Sequence, residues 1–394
     1  MARIGIYGGS FNPPHTGHIH AAQCAVEALG LTELLLIPAG TPPHKQPPEG
    51  SPNARQRLEM TRIAAAGLPG ITVSDIEICR EGISYTWQTV AQVRRMYPDG
   101  ELVLLMGTDM FLSFENWKNP DLILQDAALG VFYRGDPEEV QKIDACKKAM
   151  EAKGAKVYLV KNPVIEISST NLRRMLTFRC ADPFLPAGVG EYIREGGFYG
   201  TGRDYRSLSM EDLEKTVVSL LKPNRVAHVL GCRDAAADLA RRWGADVTHA
   251  ARAGLLHDIT KALDGPLQLT LCREYDIILD NFSSQNPKTL HALTGAYVAE
   301  RIFGEAPEVV SAIASHTTGK AEMDTLEKII YVADYMEPNR DFPGVEKLRE
   351  LAYTNLDKAL KLGLEMTLNV LREQGREISP ESQQALTYLQ QTGV

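Results

Sequence analysis

Gly8 to His18 reads GGSFNPPHTGH, with two histidines three residues apart just after a short apolar stretch. A Gly-rich turn lets main-chain N–H groups approach a polyphosphate, and a helix that starts there turns its positive end to the same anion. His15 and His18, at i and i+3 of that helix, are expected on one face, donating to the same phosphate oxygens. RIGIYG before the turn reads as a strand and HIHAAQCAVEAL after it as a helix, the context such a turn requires. This is equipment for nucleotide chemistry.

The elements that must hold the turn follow from the same pattern. Short β-branched or Leu-rich runs at Arg3–Tyr7, Leu34–Ile37, Ile71–Val73, Leu102–Met106, Leu129–Tyr133 and Lys156–Val160 alternate with helical stretches such as Ala54–Ala66, Thr86–Met96 and Glu138–Lys153. That alternation predicts a Rossmann-like α/β fold with a parallel sheet, whose ligands bind outside the carboxyl ends of the strands. The loops at Gly8, Pro38 and Gly107 should therefore converge. Beyond GFYGTGRDYRS (Gly197 to Ser207) the β-branched runs stop, and long amphipathic segments follow at Glu211–Leu221, Asn224–Trp243, Leu290–Phe303, Pro307–His316, Leu326–Tyr335 and Leu356–Arg372. Two domains are expected, an α/β domain over 1–200 and an all-α domain over 201–394.

Composition narrows the partners. At 394 residues the chain exceeds what one core usually holds, and a net charge of −8 argues against a nucleic-acid surface. Six cysteines without a CxxC pair suit reduced thiols in a cytoplasmic protein. The early Gly and Pro residues leave no room for a signal peptide, and no apolar run reaches transmembrane length, so neither membrane nor nucleic acid is expected as a partner. A homo-oligomer remains open.

Three further segments carry polar groups that a half-buried fold does not need: IPAGTPPHK (Ile37 to Lys45), MGTDMF (Met106 to Phe111) and ISSTNLRR (Ile167 to Arg174). In the last, Ser169 or Thr170 is expected to cap a helix presenting Arg173, a second anion site with a bidentate guanidinium. Paired with HxGH, this phrase closely resembles the nicotinate-mononucleotide adenylyltransferase family of nucleotidyltransferases, through LPAGVGEYIREGGFYG at Leu185 to Gly200. The resemblance implies transfer of AMP from ATP, with Mg²⁺, to nicotinate mononucleotide, giving deamido-NAD and pyrophosphate. It implies His15 and His18 on the ATP phosphates, Ser169, Thr170 and Arg173 on the β and γ groups, and Lys45 near the transferred phosphate. Asp109 and Thr86 would fix ribose or nicotinate, and Trp117 would face the pyridine ring. Gly8, Gly9, Ser10, Phe11, His44, Gly107 and Arg134 complete the expected binding set. Gln88 stands where relatives more often carry an acid.

In the helical half, His228, the pair His257 and Asp258, His291, His316 and Asp334 each lie within or at the end of an apolar helix. Buried His and Asp are costly unless paired, and a shared metal would satisfy them all. With AGLLHDITK, ASHTTG and YVADYMEPNR, this string resembles the HD-domain phosphohydrolases, in particular their YqeK-like branch. The resemblance implies two ions, iron or another divalent transition metal. His228, His257, Asp258 and Asp334 would hold one, and Asp258, His291 and His316 the other, with Lys261 neutralising a phosphate. It implies symmetric hydrolysis of a dinucleoside polyphosphate, diadenosine tetraphosphate, to two ADP. His249 matches no ligand position. Two rivals stay open: a nucleotide-sensing helical domain, or a transferase with a pantetheine or cytidylyl partner.

Overall fold

The computed structural model describes residues 2–41, 50–133, 135–162 and 167–393. They divide into two compact units, Met1–Arg203 and Asp204–Val394. Among the described residues, no helix is long and apolar enough to cross a membrane.

In the first unit, all six expected runs become strands: β1 Arg3–Gly9, β2 Glu33–Pro38, β3 Ile71–Val73, β4 Glu101–Gly107, β5 Ala127–Tyr133 and β6 Val157–Lys161. They pair in parallel in the order β3-β2-β1-β4-β5-β6, so the chain reverses direction across the sheet between β1 and β4. Side chains alternate between the two faces. Ile4, Ile6, Leu35, Ile37, Leu102 and Leu104 fill one core, whereas Leu34, Leu36, Val103 and Leu105 fill the other. The helix Thr86–Met96 closes the first core with Val90 and Val93, and the helix Thr16–Leu29 closes the second with Ala21, Ala22 and Ala25. Burial on both faces leaves the strand ends as the place for polar loops.

The second unit is all helical among its described residues. The expected helices form at Met210–Leu220, Pro223–Trp243, Leu290–Val298, Pro307–Ser315, Thr325–Met336 and Leu356–Glu373, the third segment's tail winding as a π-helix over Ala299–Phe303. The apolar helix expected to end at the His257–Asp258 pair spans Val247–Leu256, and further helices form at Gly265–Glu274, Val345–Thr354 and Pro380–Gln391. Val247–Leu256 and Gly265–Glu274 start on aspartate caps, Asp246 and Asp264. Arg252 anchors Val247–Leu256 by a bidentate pair with buried Glu305, at 2.7 and 2.6 Å.

That helix crosses Pro223–Trp243 at Gly254, where an added Cβ would lie 2.8 Å from Arg233 Cα and 3.1 Å from the Cys232 carbonyl oxygen. Main chain cannot yield there without separating the helices. Gly254→Ala should therefore destabilise the second unit by about 1–3 kcal/mol, read as faster amide hydrogen exchange in its helices with the first unit unaffected. Unchanged exchange would show that the crossing has slack.

Candidate functional sites

The turn after β1 departs from expectation in an instructive way. His15 is the N-cap of Thr16–Leu29, outside the helix rather than one turn from His18 on its face. His15 Nδ1 accepts from the His18 N–H at 3.3 Å, and His18 Nδ1 accepts from the His15 N–H at 3.2 Å, a capping box built from two imidazoles. The rings stack with centroids 3.5 Å apart. Since each Nδ1 is an acceptor, each ring carries its proton on Nε2. Burial pushes His15 down to about 4, and burial with the neighbouring His15 charge holds His18 well below the ordinary imidazole range. The pair is thus two neutral N–H donors at physiological pH.

Phe11, at φ 42°, folds its buried ring edge-on against Tyr7 and His18 at 5.8 and 5.0 Å. A Cβ on Gly9 would lie 3.1 Å from that ring, whereas one on Gly8 would meet nothing within 4 Å, leaving Gly8 open to a ligand. Ser10 is exposed beside it.

A cavity of about 1200 Å³ opens at the carboxyl ends of the strands, with His15 and His18 from the β1 turn, Gly107 and Asp109 after β4, and Ser169 after β6 in its walls. The helix Ser169–Thr177 is capped by Ser168, whose Oγ accepts from the Asn171 N–H at 3.2 Å, so neither Ser169 nor Thr170 is the cap. The side chains of those two do other work. Ser169 Oγ donates to the Pro13 carbonyl at 3.2 Å, and Thr170 Oγ1 accepts from Arg173, which also donates to the Asn12 carbonyl at 2.8 Å. The two phrases, 156 or more residues apart, are therefore tied into one surface.

Thr86 and Trp117 do not line this cavity. Thr86 begins the helix Thr86–Met96, beside a parallel bridge from Ile83 to Thr41. Trp117 is half-buried against the sheet core and Phe114, 5.4 Å between ring centroids. Gln88 accepts from the Tyr85 N–H at 3.3 Å, so it caps its own helix. His44, Lys45 and Arg134 lie outside the described residues. Sequence reasoning missed Arg57 and Tyr199. Arg57 donates to the Ser10, Ala39 and Gly40 carbonyls, and the Tyr199 hydroxyl donates to Asn12 Oδ1 at 2.5 Å. Asn12 and an arginine in an amphipathic helix give no local signal of such bonds.

In the second unit, the four singled-out histidines converge on Asp258, which is 1% exposed, with Asp334 beside two of them. Its Oδ2 faces His228 and His257 Nε2 at 3.7 and 3.6 Å, and its Oδ1 faces His291 and His316 Nε2 at 3.4 and 3.8 Å. Asp334 Oδ1 lies 3.1 Å from His228 Nε2 and 3.9 Å from His257 Nε2. His228, His257 and Asp334 form one group able to hold an ion, and His257, Asp258 and His316 another.

The far nitrogens explain why these edges face inward. Nδ1 of His257, His291 and His316 donates to the carbonyls of Gly254, Lys288 and Ile313 at 2.8, 2.8 and 2.7 Å, and His228 Nδ1 meets the buried Glu337 carboxylate at 3.1 Å. The Nε2 atoms of His257, His291 and His316 are thereby left as acceptors, met at His291 by Lys261 Nζ at 2.7 Å and at both His291 and His316 by the Thr317 hydroxyl at 3.1 Å, and the Nε2 atoms of His228 and His257 approach to 3.3 Å and those of His291 and His316 to 3.2 Å. Facing lone pairs at that distance call for a shared cation, so the donor set fits a divalent metal. Burial holds His257 and His291 well below the ordinary value and pushes His316 down to about 4. Burial opposes ionisation of Asp334, but the His228 hydrogen bond and the charges of His257 and Arg340 hold it well below the carboxylate range.

Lys261 Nζ lies 2.7 Å from His291 Nε2 and 3.9 Å from Asp258. Arg225 contacts Asp258, and Arg340 donates to Asp334 Oδ1 at 2.6 Å, two cations the sequence reading did not single out. Glu337 and Arg340 lie in the quoted phrase YVADYMEPNR, which was the available signal. Thr260, which donates to the His291 carbonyl at 3.1 Å, ties the HD turn to the next helix. His249 is near a helix start, in neither metal group.

Comparison with known proteins matches these geometries to families. A cytidylyltransferase-like family model matches residues 6–175, and an HD domain model matches residues 225–339. A Thermomicrobium roseum protein named "Probable nicotinate-nucleotide adenylyltransferase" is 38% identical over 203 residues, 51% of this chain and 93% of its own length. One of the same name from Neisseria meningitidis is 34% identical over 202 residues, 50% of this chain and 99% of its own length. Among solved structures, a Clostridium acetobutylicum protein described as a predicted HD superfamily hydrolase involved in NAD metabolism is 34% identical, with a TM-score of 0.46, covering 47% of this chain and 98% of its own. The Plasmodium falciparum nicotinic acid mononucleotide adenylyltransferase complexed with NaAD is 18% identical, with a TM-score of 0.42, covering 51% of this chain and 98% of its own. An HD domain with these His/Asp groups implies divalent-metal binding. Through its first half, the chain belongs to the nicotinate-nucleotide adenylyltransferase family, and it carries an HD domain in its second.

Proposed function

We propose that the first unit transfers AMP from MgATP to nicotinate mononucleotide and that the second hydrolyses a dinucleoside polyphosphate. For the transferase, the supporting observation is the stacked imidazole pair locked as neutral Nε2–H donors on the cavity wall. A phosphate oxygen of the mononucleotide attacks the α-phosphorus of ATP, that P–O bond forms, and the bond to the bridging oxygen breaks to release pyrophosphate. The nucleophile is already anionic, so no general base is required. His15, His18 and Arg173 supply donors to the charge that builds on the phosphate oxygens, each worth roughly 10²- to 10³-fold by analogy with oxyanion holes. Ser169 and Thr170 hold Arg173 and the turn together.

For the hydrolase, the supporting observation is Asp258 flanked by two imidazoles on each carboxylate oxygen. Asp258 would bridge two divalent ions, with His228, His257 and Asp334 on one side and His291 and His316 on the other. Imidazole and carboxylate ligands suit iron or a similar transition metal. Such ions lower the pKa of bound water toward about 7 and polarise an anhydride oxygen. Lys261, Arg225 and Arg340 are partly exposed cations around the carboxylates and would orient the polyphosphate chain. Water adds to one phosphorus of diadenosine tetraphosphate, the central bridging P–O bond breaks, and two ADP leave.

His18→Ala should lower adenylyl transfer by about 10²-fold or more without changing bound metal or hydrolysis; parallel loss of both activities would contradict two separate sites. Asp258→Ala should abolish metal binding, measured by elemental analysis, together with release of ADP. Retained metal, or AMP and ATP as products of the wild type, would contradict the assignment.

Stability should also depend on pH through His15. Its folded pKa of about 4 lies below the unfolded value near 6.5, so the unfolded chain takes up the proton first. The stability of the first unit should fall as pH drops from about 6.5 toward 4, by less in His15→Gln, as followed by urea unfolding. An identical pH dependence in the variant would contradict the neutral imidazole.

A further inference from the structure

Arg57 is a buried cation whose position the reaction does not explain by direct contact. It is 7% exposed, and its hydrogen bonds end on main-chain carbonyls: Ser10 at 2.7 Å, Ala39 at 2.6 Å and Gly40 at 3.0 Å. Among the described residues, no carboxylate pairs with it. Ser10 belongs to the turn after β1, and Ala39 and Gly40 to the loop after β2, so one planar guanidinium spans two connections.

Both connections are shaped around it. Because a trans peptide is planar, drawing the Ser10 carbonyl toward Arg57 turns the Phe11 N–H the other way. Gly40 also packs against Glu77, whose carboxylate accepts from Thr89 Oγ1 at 2.6 Å. A Cβ on Gly40 would lie 2.4 Å from the Glu77 carbonyl oxygen, so the loop has no room to reposition with a side chain there. The next residue, Thr41, bridges Ile83, three residues before Thr86. The remainder of the β1 turn is fixed independently, by Arg173 and Tyr199 on Asn12.

We infer that Arg57 is a positioning residue that couples the two substrates of the first unit: it links the turn proposed to hold the ATP phosphates to the loop after β2, whose Thr41 bridges the segment before Thr86, the residue that the adenylyltransferase resemblance puts on ribose or nicotinate, so ordering one connection orders the other. The inference rests on the adenylyltransferase reading. It is distinct from a direct role, because three of the guanidinium's five N–H groups are directed at main-chain carbonyls.

Isothermal titration of the full chain with α,β-methylene-ATP and Mg²⁺, and with nicotinate mononucleotide, each alone and in the presence of the other, tests it. In the wild type, each probe should bind on the order of tenfold tighter when the other is bound. Arg57→Lys, which keeps charge but cannot span three carbonyls, should bring that factor to about one, with kcat lowered more than either KM; Arg57→Gln should do the same. Tyr199→Phe, which removes the hydroxyl bond to Asn12 and keeps the main-chain bond to Gly50, should keep the factor. Wild-type binding without coupling, coupling that survives both Arg57 variants, or equal loss in Tyr199→Phe would overturn the inference. Failure of the wild type to bind nicotinate mononucleotide while the ATP analogue binds would instead overturn the substrate reading, and this inference with it.

Discussion

What each histidine can do in this chain is decided at its Nδ1 atom. In the first unit, Nδ1 of His15 and of His18 accepts a main-chain N–H, which leaves the proton on Nε2 and makes both rings donors. In the second, Nδ1 of His257, His291 and His316 points at a main-chain carbonyl, which leaves Nε2 unprotonated and makes the rings ligands, while His228 Nδ1 faces Glu337. The same side chain therefore serves an anion in one unit and a cation in the other. Neither outcome depends on the shifted pKa alone, because burial disfavours the charged form of His15 and His18 as it does of His257, His291 and His316, and the tautomer is what differs between the two sets.

The two folds supply these opposite settings by ordinary means. A parallel sheet buried on both faces leaves its polar loops at the carboxyl ends of the strands, where a helix starts and unpaired N–H groups point outward. His15 and His18 satisfy two of those groups. In the helical unit, His257 and His316 instead stand at helix C-termini, where carbonyls are in excess, and each uses the carbonyl three residues earlier. Helix polarity thus accounts for His257 and His316, whereas His291, the second residue of its helix, uses the Lys288 carbonyl of the preceding turn and His228 faces Glu337.

Much of this was legible in the sequence, for reasons that can be named. Continuous apolar runs such as Leu34 to Ile37 locate the strands because both sheet faces are buried, and AGLLHDITK locates the HD turn because a His-Asp pair has no other business in an apolar helix. The cap identities were not legible. Ser168, Ser169 and Thr170 are chemically alike, and only packing of Ser169 against Pro13 decides which of them caps. Long-range donors such as Arg57, Tyr199, Arg225 and Arg340 were also hidden, because a guanidinium or phenol that binds a distant carbonyl or carboxylate looks the same in sequence as one in solvent.

The tautomers can be observed directly. Long-range ¹H–¹⁵N correlation of the imidazole nitrogens in the metal-free chain, assigned by single His→Gln variants, should show protonated Nε2 and bare Nδ1 for His15 and His18. It should show the reverse, protonated Nδ1 and bare Nε2, for His257, His291 and His316. The same tautomer in both units would contradict the account at its root.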